Sequence, residues 1–153
     1  MSAPQRHFRI MIAAGGQKVD EAAVRLACRL ARERAGDEAR GPAQLYAVHV
    51  IEVNRALPLS APAEGEVEHG DQILDAIEQV ASEYDVPVET EMVQARDTGP
   101  ALVGEAEEWK ADVIVMGLPY KRRFGDFNMG KTVPYVLKNA FCRVVLMRER
   151  LDP

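Results

Sequence analysis

Residues 112–132 read DVIVMGLPYKRRFGDFNMGKT, and two phosphate-binding patterns overlap within them. Gly125, four residues, then Gly130, Lys131 and Thr132 match the Walker A pattern, in which backbone amides and a lysine cradle a nucleotide's phosphates. That motif needs a glycine loop that leaves a buried strand directly and opens a helix, so that amides and helix dipole converge on the anion. Here the apolar run Val113, Ile114, Val115, Met116 stops at Gly117, and Leu118–Phe124 intervene. The 21 residues after Thr132 leave room for one helix and one strand, without the further acid-tipped strand that holds Mg²⁺ in a P-loop NTPase. The Walker spacing therefore reads as a coincidence. The second pattern begins at the strand itself: a buried strand ending in Met116 and Gly117, a basic loop, then Gly130 opening a short helix.

Working outward, Arg9–Ala14 (RIMIAA) is a short apolar run ended by Gly15 and Gly16, a buried strand followed by a tight turn. Val19, Ala22, Ala23, Leu26, Ala27 and Leu30 recur at helical spacing, so one stripe of the next helix faces a core. Leu45–Ile51 is a second strand, and Glu52–Gly70, with scattered Pro, Gly and Glu, reads as a long mobile connection. Asp71 is placed to cap a second helix with the stripe Leu74, Ile77, Val80, Ala81 and Tyr84. In Val88–Ala95, Glu89 and Glu91 alternate with Val88, Thr90 and Met92 after Pro87, which marks a sheet-edge strand with one wet face. Pro100 suits the first turn of a third helix, Val113–Met116 a central strand covered on both sides, and Pro134 the start of a last helix before a strand at Arg143–Met147. Alternating strands and helices predict one α/β domain over 1–153, with a parallel sheet and helices on both faces. In such sheets ligands bind beyond the carboxyl ends of the strands. The turn Ala14, Gly15, Gly16, the strand end His49, Val50 and the loop after Met116 are thus expected to form one crevice.

Composition excludes several classes. At 47% hydrophobic and 28% charged residues the chain is not disordered, and its two cysteines form no disulfide framework or metal pair. No apolar run approaches the roughly 18 residues of a membrane span. The start MSAPQRHFR lacks a signal-peptide core, so a cytoplasmic location is expected. The net charge of −5 conceals an asymmetry: no Lys or Arg lies between Arg55 and Arg96, whereas eight basic residues face three acids from Leu118 onward. That balance argues against nucleic acid as a partner and for one small anion. His7, His49 and His69 are scattered with no metal-ligand spacing, and no serine or cysteine sits in a nucleophile elbow, so catalysis is not expected. Asp126 is the one acid in the phosphate loop on which a Mg²⁺ ion would lean.

With RIMIAAGG, AVHVIEV, ADVIVMG and MGKTVPYVLKNAFCRVVLMRE in place, the chain from Phe8 to Arg148 resembles the universal stress protein family. The resemblance implies a three-layer α/β/α sandwich of the adenine nucleotide alpha hydrolase-like type, whose five-stranded parallel sheet has the order 3-2-1-4-5. The family's nucleotide-binding branch carries Gly, two residues, Gly, nine residues, Gly, then Ser or Thr. Gly117 and Gly130 match its outer glycines, while Tyr120 and Lys131 stand at the other two positions, and Gly15 stands where members usually hold a nucleotide-contacting aspartate. The site implied comprises Ala14, Gly15, Val50, Met116, Gly117, Tyr120, Arg122, Arg123, Gly130, Lys131, Thr132 and Val133, with ATP or AMP as ligand and Mg²⁺ as a companion ion. In the last strand, Arg143–Met147, the residues Val144, Val145, Leu146 and Met147 are apolar on both faces yet fall at an edge, so a homodimer through Arg143, Val144, Val145, Leu146 and Met147 is expected, as the family implies. The segment GLPYKRRFGDFNMGKTVPYVLKNA also resembles stress-protein domains associated with amino-acid and cation transporters. Three readings follow: a nucleotide-binding regulatory module, a non-binding dimeric scaffold or transporter-regulatory domain, and third, a P-loop-type NTPase.

Overall fold

A computed structural model describes residues 7–35, 43–118, 121–123 and 126–149, with 121–123 and 126–128 described as backbone. Along the chain run β1 (Phe8–Ala13), α1 (Asp20–Ala35), β2 (Ala43–Glu52), α2 (Glu64–Glu83), β3 (Val88–Ala95), α3 (Thr98–Trp109), β4 (Val113–Leu118), β5 (Lys121–Arg123), β6 (Asp126–Asn128), α4 (Thr132–Asn139) and β7 (Arg143–Arg148). Five strands form one parallel sheet in the order β3-β2-β1-β4-β7. Counting only sheet strands, this is the expected order 3-2-1-4-5.

Strand periodicity explains the three layers. Ile10 and Ile12 of β1 and Val113 and Val115 of β4 point to one side, where they meet Ala23, Val24 and Ala27 of α1 and Leu74 and Ile77 of α2. Met11 and Ala13, with Ile114 and Met116, point to the other side, against Leu102, Val103 and Ala106 of α3 and Val133 and Val136 of α4. Both faces of the central strands are therefore dry, which is why their sequences are unbroken apolar runs. On β3, Glu89 and Glu91 are exposed, as expected of an edge.

Two segments differ from the sequence reading. Helix α2 starts at Glu64 rather than beside Asp71. Residues 64–69 are exposed, so no apolar stripe announces these turns, and Glu64 and Glu66 support them by facing the positive end of the helix dipole. The preceding connection is also tied down: Arg96 Nη1 donates to the carbonyls of Asn54 and Leu57, both at 2.7 Å, and Gln94 Nε2 donates to those of Leu59 and Ala61 at 3.2 and 3.0 Å. The second difference is the antiparallel pairing of β5 with β6, a hairpin between β4 and α4. Its strands are three residues each, too short for alternation to register. This hairpin separates the buried strand from the α4 helix, which is not the direct strand-to-loop connection of a Walker motif.

Candidate functional site

The carboxyl ends of β1, β2 and β4 open into a crevice of about 300 Å³, roofed by the start of α4 and flanked by Thr98 and Leu102 of α3. That volume is at the lower end of the range for small-molecule sites. A wider hollow of about 1070 Å³ lies at the other end of the sheet around Phe8, Asp112 and Arg143. The smaller crevice is the one placed where a doubly wound sheet collects ligands.

Its first wall follows from the pairing of β1 with β2. Ala14 N–H donates to the Val48 carbonyl at 2.8 Å, extending the parallel ladder past the end of β1. The Ala14 carbonyl lies 2.7 Å from His49 Nδ1; a carbonyl only accepts, so Nδ1 carries the proton. His49, 9% exposed, thus fixes the strand end and is part of the wall. Below the turn lies Asp20, the first residue of α1, which is also 9% exposed. Its Oδ2 accepts from Gly16 N–H at 2.7 Å and from Gln17 N–H at 3.2 Å. Burial pushes its carboxyl above the ordinary value of 3.8, an effect that the amides of Gly16, Gln17 and Gly15 partly offset. A raised carboxyl favours folding while protonated, so this contribution is whole below 3.8 and is lost as pH rises through the raised value. Asp20→Asn is accordingly expected to melt higher than wild type at pH 7, with the gain vanishing as the pH falls below 3.8 in thermal melts.

The second wall is β4 and the start of α4. At Gly117 a side chain would run into the residue just ahead of α1, because an added Cβ would sit 2.5 Å from Val19 Cγ1. Its lack of a side chain is therefore already used by the protein's own packing. Gly130 adopts φ = +71° with nothing within 4 Å of an added Cβ, so its glycine answers to backbone conformation alone. Among the described residues no side-chain cap bond is made at the start of α4, and Gly130, Lys131, Thr132 and Val133 line the crevice there. Lys131 Nζ approaches Asp97 Oδ1 at 3.7 Å, while Arg55 Nη2 holds Asp97 Oδ2 at 3.0 Å. At the same rim Glu52 Oε1 accepts from Thr98 N–H and Oγ1–H at 3.0 and 2.8 Å, capping α3 from the end of β2.

Of the twelve residues implied by sequence, the crevice brings together Ala14, Gly15, Val50, Met116, Gly117, Gly130, Lys131, Thr132 and Val133. Tyr120 lies outside the described residues, and Arg122 and Arg123 are described only as β5 backbone. Gln17, Asp20, Thr98, Leu102 and Met129 also line the crevice and were not foreseen. Asp20 had a signal, an acid opening an apolar helix immediately after a glycine turn. Thr98 and Leu102 had none, since they reach the site through the packing of α3.

The sequence profile of the universal stress protein family matches residues 7–148. A universal stress protein of Methanocaldococcus jannaschii is 29% identical over 147 residues, spanning 92% of this chain and 82% of that protein. Among solved structures, a universal stress protein from Archaeoglobus fulgidus superposes with a TM-score of 0.74 at 18% identity, covering 92% of this chain and 98% of that one. The universal stress protein of Archaeoglobus fulgidus in complex with dAMP gives 0.69 at 17% identity, covering 93% and 98%.

Proposed function

The chain belongs to the universal stress protein family, and on that premise we propose that it is a regulatory module that takes an adenine nucleotide, AMP or ATP, in the crevice. The carrying observation is the start of α4: Gly130 in a left-handed conformation, followed by a helix that no described side chain caps. Such a terminus attracts a phosphate through its amides and dipole. The phosphate is assigned to Gly130, Lys131, Thr132 and Val133, with Arg122, Arg123 and a Mg²⁺ ion as further charge for ATP. The base and sugar are assigned to the wall of Ala14, Gly15, Val50, Met116 and Gly117, and Tyr120 is kept from the sequence reading as a further contact. The dAMP complex of the Archaeoglobus protein, which shares the fold, supports an adenine nucleotide as the class. Calorimetric titration with AMP and ATP tests this: saturable heat with one of them is expected, and none with either favours the scaffold reading. The observation behind that second reading is Val19, whose side chain fills the space beside Gly117.

The same proposal includes a homodimer through β7. Val144, Val145, Leu146 and Met147 are half-buried at an unpaired edge, and Phe141 beside them is 84% exposed. Apolar surface of this kind is covered when a second copy pairs edge to edge. Light scattering is expected to give twice the chain mass, and Phe141→Glu to shift the population toward monomer; a monomeric wild type contradicts the dimer. A transporter is the proposed listener, on the likeness of the loop segment alone. No helix among the described residues is long and apolar enough to cross a membrane.

A further inference from the structure

Two sets of backbone amides lie at the crevice, with Gln17 on its lining and Gly16 adjoining it, and they are in different states. Those at the start of α4 face no described capping side chain. Those at the β1–α1 turn are occupied: Asp20 reaches back from the first position of α1, so that one carboxylate oxygen takes both Gly16 N–H and Gln17 N–H. Asp20 is nine-tenths buried, lines the crevice, and has no ion-pair partner among the described residues. Its charge is held chiefly by amides, with His49 as a further favourable neighbour, much as a bound anion would be.

We infer that Asp20 is the residue that sets the polarity of the crevice: its carboxylate is an internal anion seated in the first turn, which bars a phosphate there and confines the anionic end of a ligand to α4. The ligand class follows. It carries negative charge at one end only, and its other end presents an amine or hydroxyl donor toward a carboxylate. A nucleoside monophosphate fits this description, whereas a molecule anionic at both ends does not. The choice of a nucleotide rests on the proposed function; the occupied turn does not.

Amide-resolved NMR of the full chain tests this, with inorganic phosphate and AMP as separate probes. In wild type, phosphate is expected to leave the Gly16 and Gln17 amides unmoved. Asp20→Ala vacates the turn, and phosphate then shifts both amides, binding there about tenfold or more tightly than in wild type. Asp20→Ser does the same if the alanine variant fails to fold, because its hydroxyl stops short of the carboxylate oxygen's place while its helix propensity remains ordinary. Asp20→Asn keeps an oxygen in the turn and gains no site. Phosphate that shifts Gly16 and Gln17 in wild type, or that leaves them unmoved in both shortened variants, overturns the assignment. AMP that shifts no crevice amide of wild type defeats the nucleotide reading instead, and the phosphate result still decides the role of Asp20.

Discussion

Gly130→Asp is expected to weaken AMP binding by about 100-fold or more, because it sets a carboxylate where the account seats the phosphate. The fold should tolerate it. Nothing lies within 4 Å of an added Cβ, and aspartate accepts the left-handed region better than most residues, so strain at φ = +71° stays at about 1 kcal/mol. The new carboxylate lies just ahead of α4, where it can accept from the first amides as a cap does. It competes with the phosphate for those donors and repels it as well. Gly130→Asn separates these effects, since it carries the same shape and backbone strain without the charge. An intermediate loss is expected for Asn, read by calorimetry with melting temperatures confirming that both variants are folded. Equal losses for Asp and Asn would move the cause from charge to conformation.

Gly117→Ala is expected to lower stability by about 1–3 kcal/mol, the usual cost of forcing atoms into a packed site. The added methyl would lie 2.5 Å from Val19 Cγ1, closer than van der Waals contact permits, and Val19 is itself buried against the end of β4. The nearest backbone atom, the Val19 carbonyl carbon, is at 3.4 Å and needs little movement. Val19→Ala removes the clashing branch, so the double variant should recover part of the loss, giving a favourable coupling in a denaturation cycle. Additive losses would mean that the close approach of β4 and α1 is not what requires glycine. The experiment also separates two roles of Gly117 that its sequence pattern merges: packing against α1 and room for a ligand.

Much of the fold was legible because burial leaves period-two and period-3.6 traces. RIMIAA and VIVM are dry on both sides and read as central strands, while Glu89 and Glu91 mark β3 as an edge. The first turns of α2 left no such trace, because Glu64–His69 bury nothing against the core. The β5–β6 hairpin was equally silent, each strand having three residues, fewer than the roughly four over which alternation can be read. The crevice itself was readable from topology, since the switch-point rule names strand ends whatever their side chains. Asp20 was legible only as an acid opening α1; its role was not, because that comes from a side chain folding back onto Gly16 and Gln17, and helical periodicity records only which residues face the core. Nothing in the sequence pairs Lys131 with Asp97, whose carboxylate lies 3.7 Å from its ammonium in the structure. Both are exposed, so that pair is weak and yields to a stronger anion.

The most direct test is a crystal structure of the chain grown with AMP. The nucleotide is expected in the crevice at the carboxyl ends of β1, β2 and β4, with its phosphate on the amides at the start of α4 and its uncharged end toward Asp20. A nucleotide bound elsewhere, a phosphate seated on Gly16 and Gln17, or an empty crevice at saturating AMP would contradict it.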